Sequence, residues 1–209
     1  NTNDTAKRLS ECFYAISKLN PNVFKTQTGF EMHSQLGFPQ NWGLGSSSTL
    51  INNLAQWAKV DAYKLLAATF GGSGYDIACA QHPYPITFQK TLKSTKIEKA
   101  VFNPPFKDQL FFVHQNQKRN SRKAIAAYEA LKKGEKLDFS ELNAITDALL
   151  VATTLEEFEV LMSKHETIVG NLIQQSPLKT THFSDYPGAI KSLGAWGGDF
   201  FLATRTNTQ

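Results

Sequence analysis

The sequence predicts an α+β chain of two lobes, and three observations carry that expectation. Apolar residues recur at three- and four-residue spacing over residues 4–19, 124–131, 139–152 and 155–174, the period of helices that bury one face. Short β-like runs at 86–89, 100–102, 110–114, 189–193 and 200–204 stand between and after them. Gln117-Lys118-Arg119-Asn120 forms a polar joint after which the texture turns helical, so the lobes are expected at residues 1–118 and 119–209.

Taken in order, Leu9, Cys12, Phe13, Ile16 and Leu19 make the apolar stripe of the first helix, which Asn3, Asp4 or Thr5 can cap and Pro21 ends. Residues 30–36 switch to period two, with Phe30, Met32, Ser34 and Leu36 on one side, which predicts a half-buried strand. A Gly- and Ser-rich loop over 37–48 then opens a helix whose stripe is Leu50, Ile51, Leu54, Trp57 and Ala58. A third helix, about 61–69, stops at Gly71-Gly72-Ser73-Gly74. The breaker Asn103-Pro104-Pro105 separates the middle strands, and Gly134, Thr153-Thr154 and Ser176-Pro177 punctuate the later helices. The last two strands flank Gly194-Ala195-Trp196-Gly197-Gly198-Asp199, a hairpin or bulge. No repeat or low-complexity linker is present.

Composition removes several functions. Of 209 residues, 41% are apolar and 19% charged, enough apolar content for a buried core. The net charge of +4 is too small and scattered for nucleic acid, though it suits a small anionic ligand. The longest apolar runs, 110–113 and 148–152, fall far short of the roughly 20 residues of a membrane span, so no membrane partner is expected. Cys12 and Cys79 supply neither a disulfide framework nor a Cys-based metal site, which fits a reducing, cytoplasmic setting.

Three segments can carry chemistry. In Gly43-Leu44-Gly45-Ser46-Ser47-Ser48 a glycine turn leads into a helix, whose free N–H groups and dipole favour an anion such as phosphate. The Ser hydroxyls can donate to phosphate or ligate Mg²⁺. The same residues also fit a plain Ser-capped helix start. Asp76 follows the 71–74 turn, where a carboxylate either takes a proton from a reacting hydroxyl or caps the next element. The third segment, residues 191–199, places three glycines within five residues, bringing backbone close to a ligand or to a neighbouring strand.

Other chemistries lack their residues. No G-x-x-x-x-G-K-[ST] loop occurs, His165-Glu166 lacks the second His of H-E-x-x-H, and 71–75 lacks the last Gly of G-x-S-x-G. His33, His82, His114, His165 and His182 show no metal-ligand spacing. Cys79 sits in an apolar run and is expected in the core. The basic run 118–123 reads as a solvated helix start.

In this order the three segments resemble the motifs of the GHMP kinase superfamily. Residues 39–48 are similar to P-x-x-x-G-L-G-S-S-A with Ser48 for the final Ala, Gly74-Tyr75-Asp76 to its Gly-x-Asp, and residues 191–198 to K-x-x-G-A-G-G-G with Trp196 for one Gly. Residues 74–78 spell the signature of its GYDIA branch. The resemblance implies a ribosomal-protein-S5-domain-2-like N-terminal lobe and a ferredoxin-like C-terminal lobe with ATP between them. It implies phosphate binding by Gly43, Leu44, Gly45, Ser46, Ser47 and Ser48, Mg²⁺ near Ser47, Asp76 acting on the acceptor hydroxyl, and Gly194, Gly197 and Gly198 shaping the site. The family's P-G-K-like first motif has no counterpart in residues 1–29, which leads to the expectation of a fragment of a longer kinase. Between Ser48 and Gly74 the only acid is Asp61, so the Mg²⁺-binding Glu of mevalonate kinases has no clear counterpart.

The function so implied is ATP-dependent phosphorylation of a small-molecule hydroxyl, on mevalonate or phosphomevalonate. The alternatives are a homoserine or sugar kinase, the ATP-dependent diphosphomevalonate decarboxylase, or a nucleotide-binding relative without catalysis.

Overall fold

The computed structural model describes residues 2–25, 29–91, 94–116, 128, 138–194, 196 and 199–205, and shows a mixed helix and sheet chain. Its contacts divide the chain into two units. The first comprises residues 1–40 and 44–101, the second residues 41–43 and 102–209. The division at Val101 and Phe102 precedes the polar joint expected near 117–121, which lies outside the described residues, as do the helix expected over 124–131 and the basic run to 123, Tyr128 excepted.

Among its described residues the first unit holds four α-helices and one hairpin. The apolar stripe of residues 4–19 becomes α1 (Thr2–Leu19). The Gly/Ser loop leads into α2 (Ser46–Ala58). Asp61 accepts a 2.8 Å hydrogen bond from the Lys64 N–H and so caps α3 (Ala62–Ala68), and Gly74 precedes α4 (Tyr75–Gln81). The core joins Cys12 and Ile16 of α1, Ile51, Leu54, Ala55 and Ala58 of α2, Leu65 of α3 and Ile77 of α4. Asn20 Nδ2 donates to Ala58 O at 2.8 Å, tying the end of α1 to that of α2. Strands β1 (Ile86–Lys90) and β2 (Thr95–Lys99) form an antiparallel hairpin with Ile86 opposite Lys99.

In the second unit a three-stranded antiparallel sheet has the order β3 (Leu110–His114), β5 (Phe200–Thr204), β4 (Ile190–Ser192). Pairing of Leu110 with Thr204 and of His114 with Phe200 draws β3 into this unit. Helices α5 (Ser140–Val151) and α6 (Leu155–Ile173) contact each other, and α6 and the short α7 (Leu178–His182) contact β4. Thr154 accepts from the Glu157 N–H while Glu157 accepts from the Thr153 N–H, reciprocal bonds that start α6. Phe106, Phe158 and Met162 fill one core cluster, and Leu178, Ile190 and Phe201 a second.

Three sequence expectations are corrected. Residues 30–36 form no strand: Phe30, Met32 and Leu36 are exposed, and Phe30 meets other rings, stacked 5.9 Å from Phe24 and edge to face 5.0 Å from Trp57. Alternation alone cannot make a strand where no neighbouring strand supplies the hydrogen-bond ladder. The strand expected at 100–102 ends earlier, at Lys99, because the Thr91–Ser94 turn sets the hairpin register. Cys79 is exposed rather than in the core, since α4 turns Ile77 and Ala78 inward. No described helix is long and apolar enough to cross a membrane.

Ile51 is fully buried where α2 contributes to the core, so Ile51→Ala is expected to cost about 2–5 kcal/mol of unfolding free energy. Removing the cap with Asp61→Ala costs about 1 kcal/mol. Urea titrations followed by circular dichroism measure both, and a smaller loss at Ile51 than at Asp61 contradicts this packing.

Candidate functional site

At the start of α2 a glycine, not a serine, takes the cap position. Gly45, at φ 71° and ψ 29°, occupies the N-cap position, so no Ser caps the helix, and among the described residues no side-chain cap bonds its first N–H groups. The left-handed conformation is open to glycine at little steric cost. The first intrahelical bond from this end is Thr49 N–H to Gly45 O, at 2.9 Å. The N–H groups of Ser46, Ser47 and Ser48 therefore precede the helical ladder and project from the positive end of a 13-residue helix. Ser47 is exposed, and Ser46 and Ser48 are half-buried. This is the arrangement that backbone recognition of a phosphate requires.

Asp76 is brought to this helix start. It lies in the first turn of α4 rather than in the turn before it, because Gly74, at φ 88°, takes the N-cap position. That also removes the capping role: Asp76 is the second residue of the helix, not its cap. A Cβ placed on Gly45 would stand 4.0 Å from Asp76 Oδ1, so the carboxylate borders the loop. Two contacts hold α4 there. Ile77 and Ala78 are fully buried, and Gln81 Nε2 donates at 3.1 Å to Oδ1 of the buried Asn52 on α2. A Cβ at Gly74 would come within 3.0 Å of the Tyr63 ring, which fixes the approach to the helix.

Burial raises the Asp76 carboxyl above the usual carboxylate range, opposed by a hydrogen bond from the Tyr75 side chain. Burial first, then the Asp76 charge, pushes the Tyr75 phenol up to about 12. Tyr75 therefore remains a hydrogen-bond donor at neutral pH. The arrangement provides donors for an anion beside a carboxylate that can accept a proton.

Lys90 carries a role the sequence did not suggest. Its Nζ donates to Ser73 O at 3.1 Å and Gly72 O at 3.4 Å, bracing the turn before Asp76 from β1.

The remaining expected residues are divided between the two units. Gly43, at φ 66°, is grouped with the second unit and lies against Asp199, whereas Leu44 is grouped with the first unit and is exposed. Gly194, at φ 65°, follows β4 in its connection to the antiparallel β5, part of which lies outside the described residues. Gly197 and Gly198 lie outside the described residues. Trp196 adopts φ 44° and sets its ring where a Cβ on Gly170 of α6 would be, 2.9 Å from the nearest ring atom.

Glu166 is a second residue the sequence reading passed over. Only 2% exposed, it accepts from the Ser192 N–H at 3.0 Å and from Ser192 Oγ at 2.7 Å, while Lys191 Nζ stands 3.8 Å from its other oxygen. Burial lowers the Lys191 ammonium, and Glu166 opposes that shift. His165 next to it falls to about 4, through burial and then the Lys191 charge, and is neutral at pH 7. The signal was available: Glu166 interrupts the apolar stripe Leu155, Phe158, Met162, Gly170 of α6.

In comparisons with known protein families, curated proteins and solved structures, nothing matches this chain.

The sign of the Asp76 shift makes a prediction. A carboxyl whose folded-state pKa lies above its unfolded value subtracts stability once it ionises, and that loss grows as pH rises through the carboxylate range. Asp76→Asn is expected to be more stable than wild type at pH 7, with the advantage closing as pH falls below about 4. Urea midpoints at several pH values measure it, and a less stable variant at pH 7 contradicts the desolvation of Asp76.

Proposed function

We propose that the chain carries the phosphate-binding and acid–base elements of an ATP-dependent small-molecule kinase of the GHMP type, acting on mevalonate or phosphomevalonate. The supporting observation is the placement of the Asp76 carboxylate beside a glycine-capped helix start with free N–H groups. The resemblance of residues 39–48, 74–76 and 191–198 to the family's ordered motifs supports the same reading.

In this proposal the N–H groups of Ser46, Ser47 and Ser48 bind ATP phosphate oxygens, and the glycines let the backbone approach them closely. Ser47, exposed in the first turn of α2, would supply a hydroxyl ligand for the Mg²⁺ of the nucleotide. Bound Mg²⁺ would neutralise charge on the phosphates. The acceptor oxygen forms a bond to the γ-phosphorus as the bond to the bridging β–γ oxygen breaks, and ADP leaves with that electron pair. The hydroxyl proton passes to Asp76, whose raised pKa brings it nearer the pH at which it works. Positioning and electrostatics supply most of the acceleration in such a transfer.

A nucleotide-binding role without catalysis is the second reading, favoured by one observation: Trp196 occupies a glycine place of the third motif and is held there against α6.

One assay separates the readings. ADP release by the full-length gene product is measured with ATP, Mg²⁺ and a panel of mevalonate, phosphomevalonate, diphosphomevalonate, homoserine and galactose. Asp76→Asn is expected to lower turnover by about 10²–10⁴-fold while leaving ATP affinity within a few-fold. Unchanged turnover overturns the role of Asp76. ATP binding with no acceptor-dependent ADP selects the non-catalytic reading, and CO₂ release marks the decarboxylase.

A further inference from the structure

We infer that Lys90 is a positioning residue for Asp76: from β1 its ammonium gathers the carbonyls of Gly72 and Ser73, fixes the glycine turn that leads into α4, and so holds the carboxylate beside the start of α2. The consequence for phosphoryl transfer rests on the kinase proposal above, but the consequence for Asp76 itself does not.

The turn is weakly packed. Gly71, Gly72 and Gly74 stand at φ 67°, 104° and 88°. A Cβ added at Gly71 or Gly72 would meet nothing within 4 Å, so neither residue rests against a neighbour. Glycine loses more freedom on folding than any other residue, which leaves such a run dependent on ties from outside it. Its start is tied by the Gly71 N–H, which donates to Leu66 O at 2.8 Å, and its end by the Tyr63 ring against Gly74. Between them the Tyr75 N–H reaches Ser73 Oγ only at 3.4 Å. Lys90 Nζ adds two bonds there, 3.1 Å to Ser73 O and 3.4 Å to Gly72 O.

The period of two along β1 explains why Lys90 reaches the turn. Phe88 and Lys90 share one face of the strand. The Phe88 ring meets the Tyr75 ring edge to face at 6.4 Å, while Lys90 meets the two residues before Gly74. One face of β1 therefore contacts the chain on both sides of that glycine. The strand is itself held, since Lys90 pairs with Thr95 on β2 and the Thr91 N–H donates to Ser94 O at 2.8 Å. Brace, turn and α4 all lie within the first unit.

Asp76 stands two residues beyond Gly74, so the direction in which the turn delivers the chain decides where its carboxylate lies. Lys90 acts through that backbone and not through its charge: burial and the Tyr75 hydrogen bond set the titration of Asp76. Tyr75 and Cys79, on the same helix, are the titratable groups that feel the Asp76 charge.

Carbon-13 NMR of the Asp76 carboxyl, titrated in the unliganded protein, tests the inference without any substrate. Wild type is compared with Lys90→Met, which keeps the side-chain length and loses its donors, and with Lys90→Arg, which keeps the donors. Lys96→Met, which removes a charge elsewhere on the hairpin, is the control. In Lys90→Met the Asp76 pKa is expected to fall toward the ordinary carboxylate range, as the loosened turn lets water reach the group. Lys90→Arg and Lys96→Met are expected to keep the wild-type value. Loss of a positive charge acting directly on Asp76 would raise the pKa instead, so the sign separates the two roles. In steady-state kinetics with the acceptor found in the ADP assay, Lys90→Met is expected to lower kcat about tenfold with KM for ATP within about twofold, and Lys90→Arg to stay within about threefold of wild-type kcat. Lys90 is exposed, so these changes leave the core untouched.

An Asp76 pKa that is unchanged or raised in Lys90→Met overturns the inference, and so does wild-type kcat in that variant. If wild type phosphorylates no acceptor, the kinase proposal fails, and the carboxyl titration still decides the role of Lys90.

Discussion

The packing of α2 against α1, α3 and α4 is the constraint on which the first unit depends, and it leaves the start of α2 without a side-chain cap among the described residues. A helix end without a cap normally costs stability, because its first donors have no partner in the ladder. Here Gly45 takes the cap position in a left-handed conformation and offers no side-chain acceptor, although three serines stand next to it. The cost is borne by a helix well secured elsewhere: Ile51, Leu54, Ala55 and Ala58 lie in the core and Asn20 bonds its last carbonyl. Packing along α2 is thus concentrated in its body rather than in its first turn.

Asp76 continues the same logic. A half-buried carboxylate is disfavoured in its charged form, yet α4 holds it in place through Ile77, Ala78 and the Gln81–Asn52 bond. Lys90 reaches across from β1 to the preceding turn instead of pairing with this carboxylate. Perturbed carboxyls beside free backbone donors are common at sites of proton transfer, which is why this corner of the molecule, and not the buried Glu166–Lys191 pair, carries the functional proposal. Glu166 serves geometry: it accepts two hydrogen bonds from Ser192, so α6 fixes the strand that leads into the glycine-rich connection.

Much of this was legible in the residues. The helix over 4–19, the stripe from Leu50 to Ala58 and the strands at 110–114 and 200–204 appear where spacing placed them, because each buries one face against neighbours. Residues 30–36 alternate just as clearly and form no strand, since periodicity describes which side could be covered and says nothing of a pairing partner. The loop over 43–48 left capping and anion binding equally open, and the conformation of Gly45 shows only that glycine rather than serine takes the cap position. Lys90 could not be assigned at all from sequence, as its meaning comes from the carbonyls of Gly72 and Ser73, which the fold brings to β1. Glu166 was legible in principle as a charge on an apolar stripe, and was passed over for want of a second His.

The central claim is that the first turn of α2 receives the phosphates of a nucleotide. Amide resonances of ¹⁵N-labelled protein, titrated with ATP and Mg²⁺ and repeated with adenosine alone, test it most directly. The account predicts the largest shifts at Gly45, Ser46, Ser47 and Ser48, produced by ATP and not by adenosine. Shifts confined to other regions, or equal with adenosine, would contradict it.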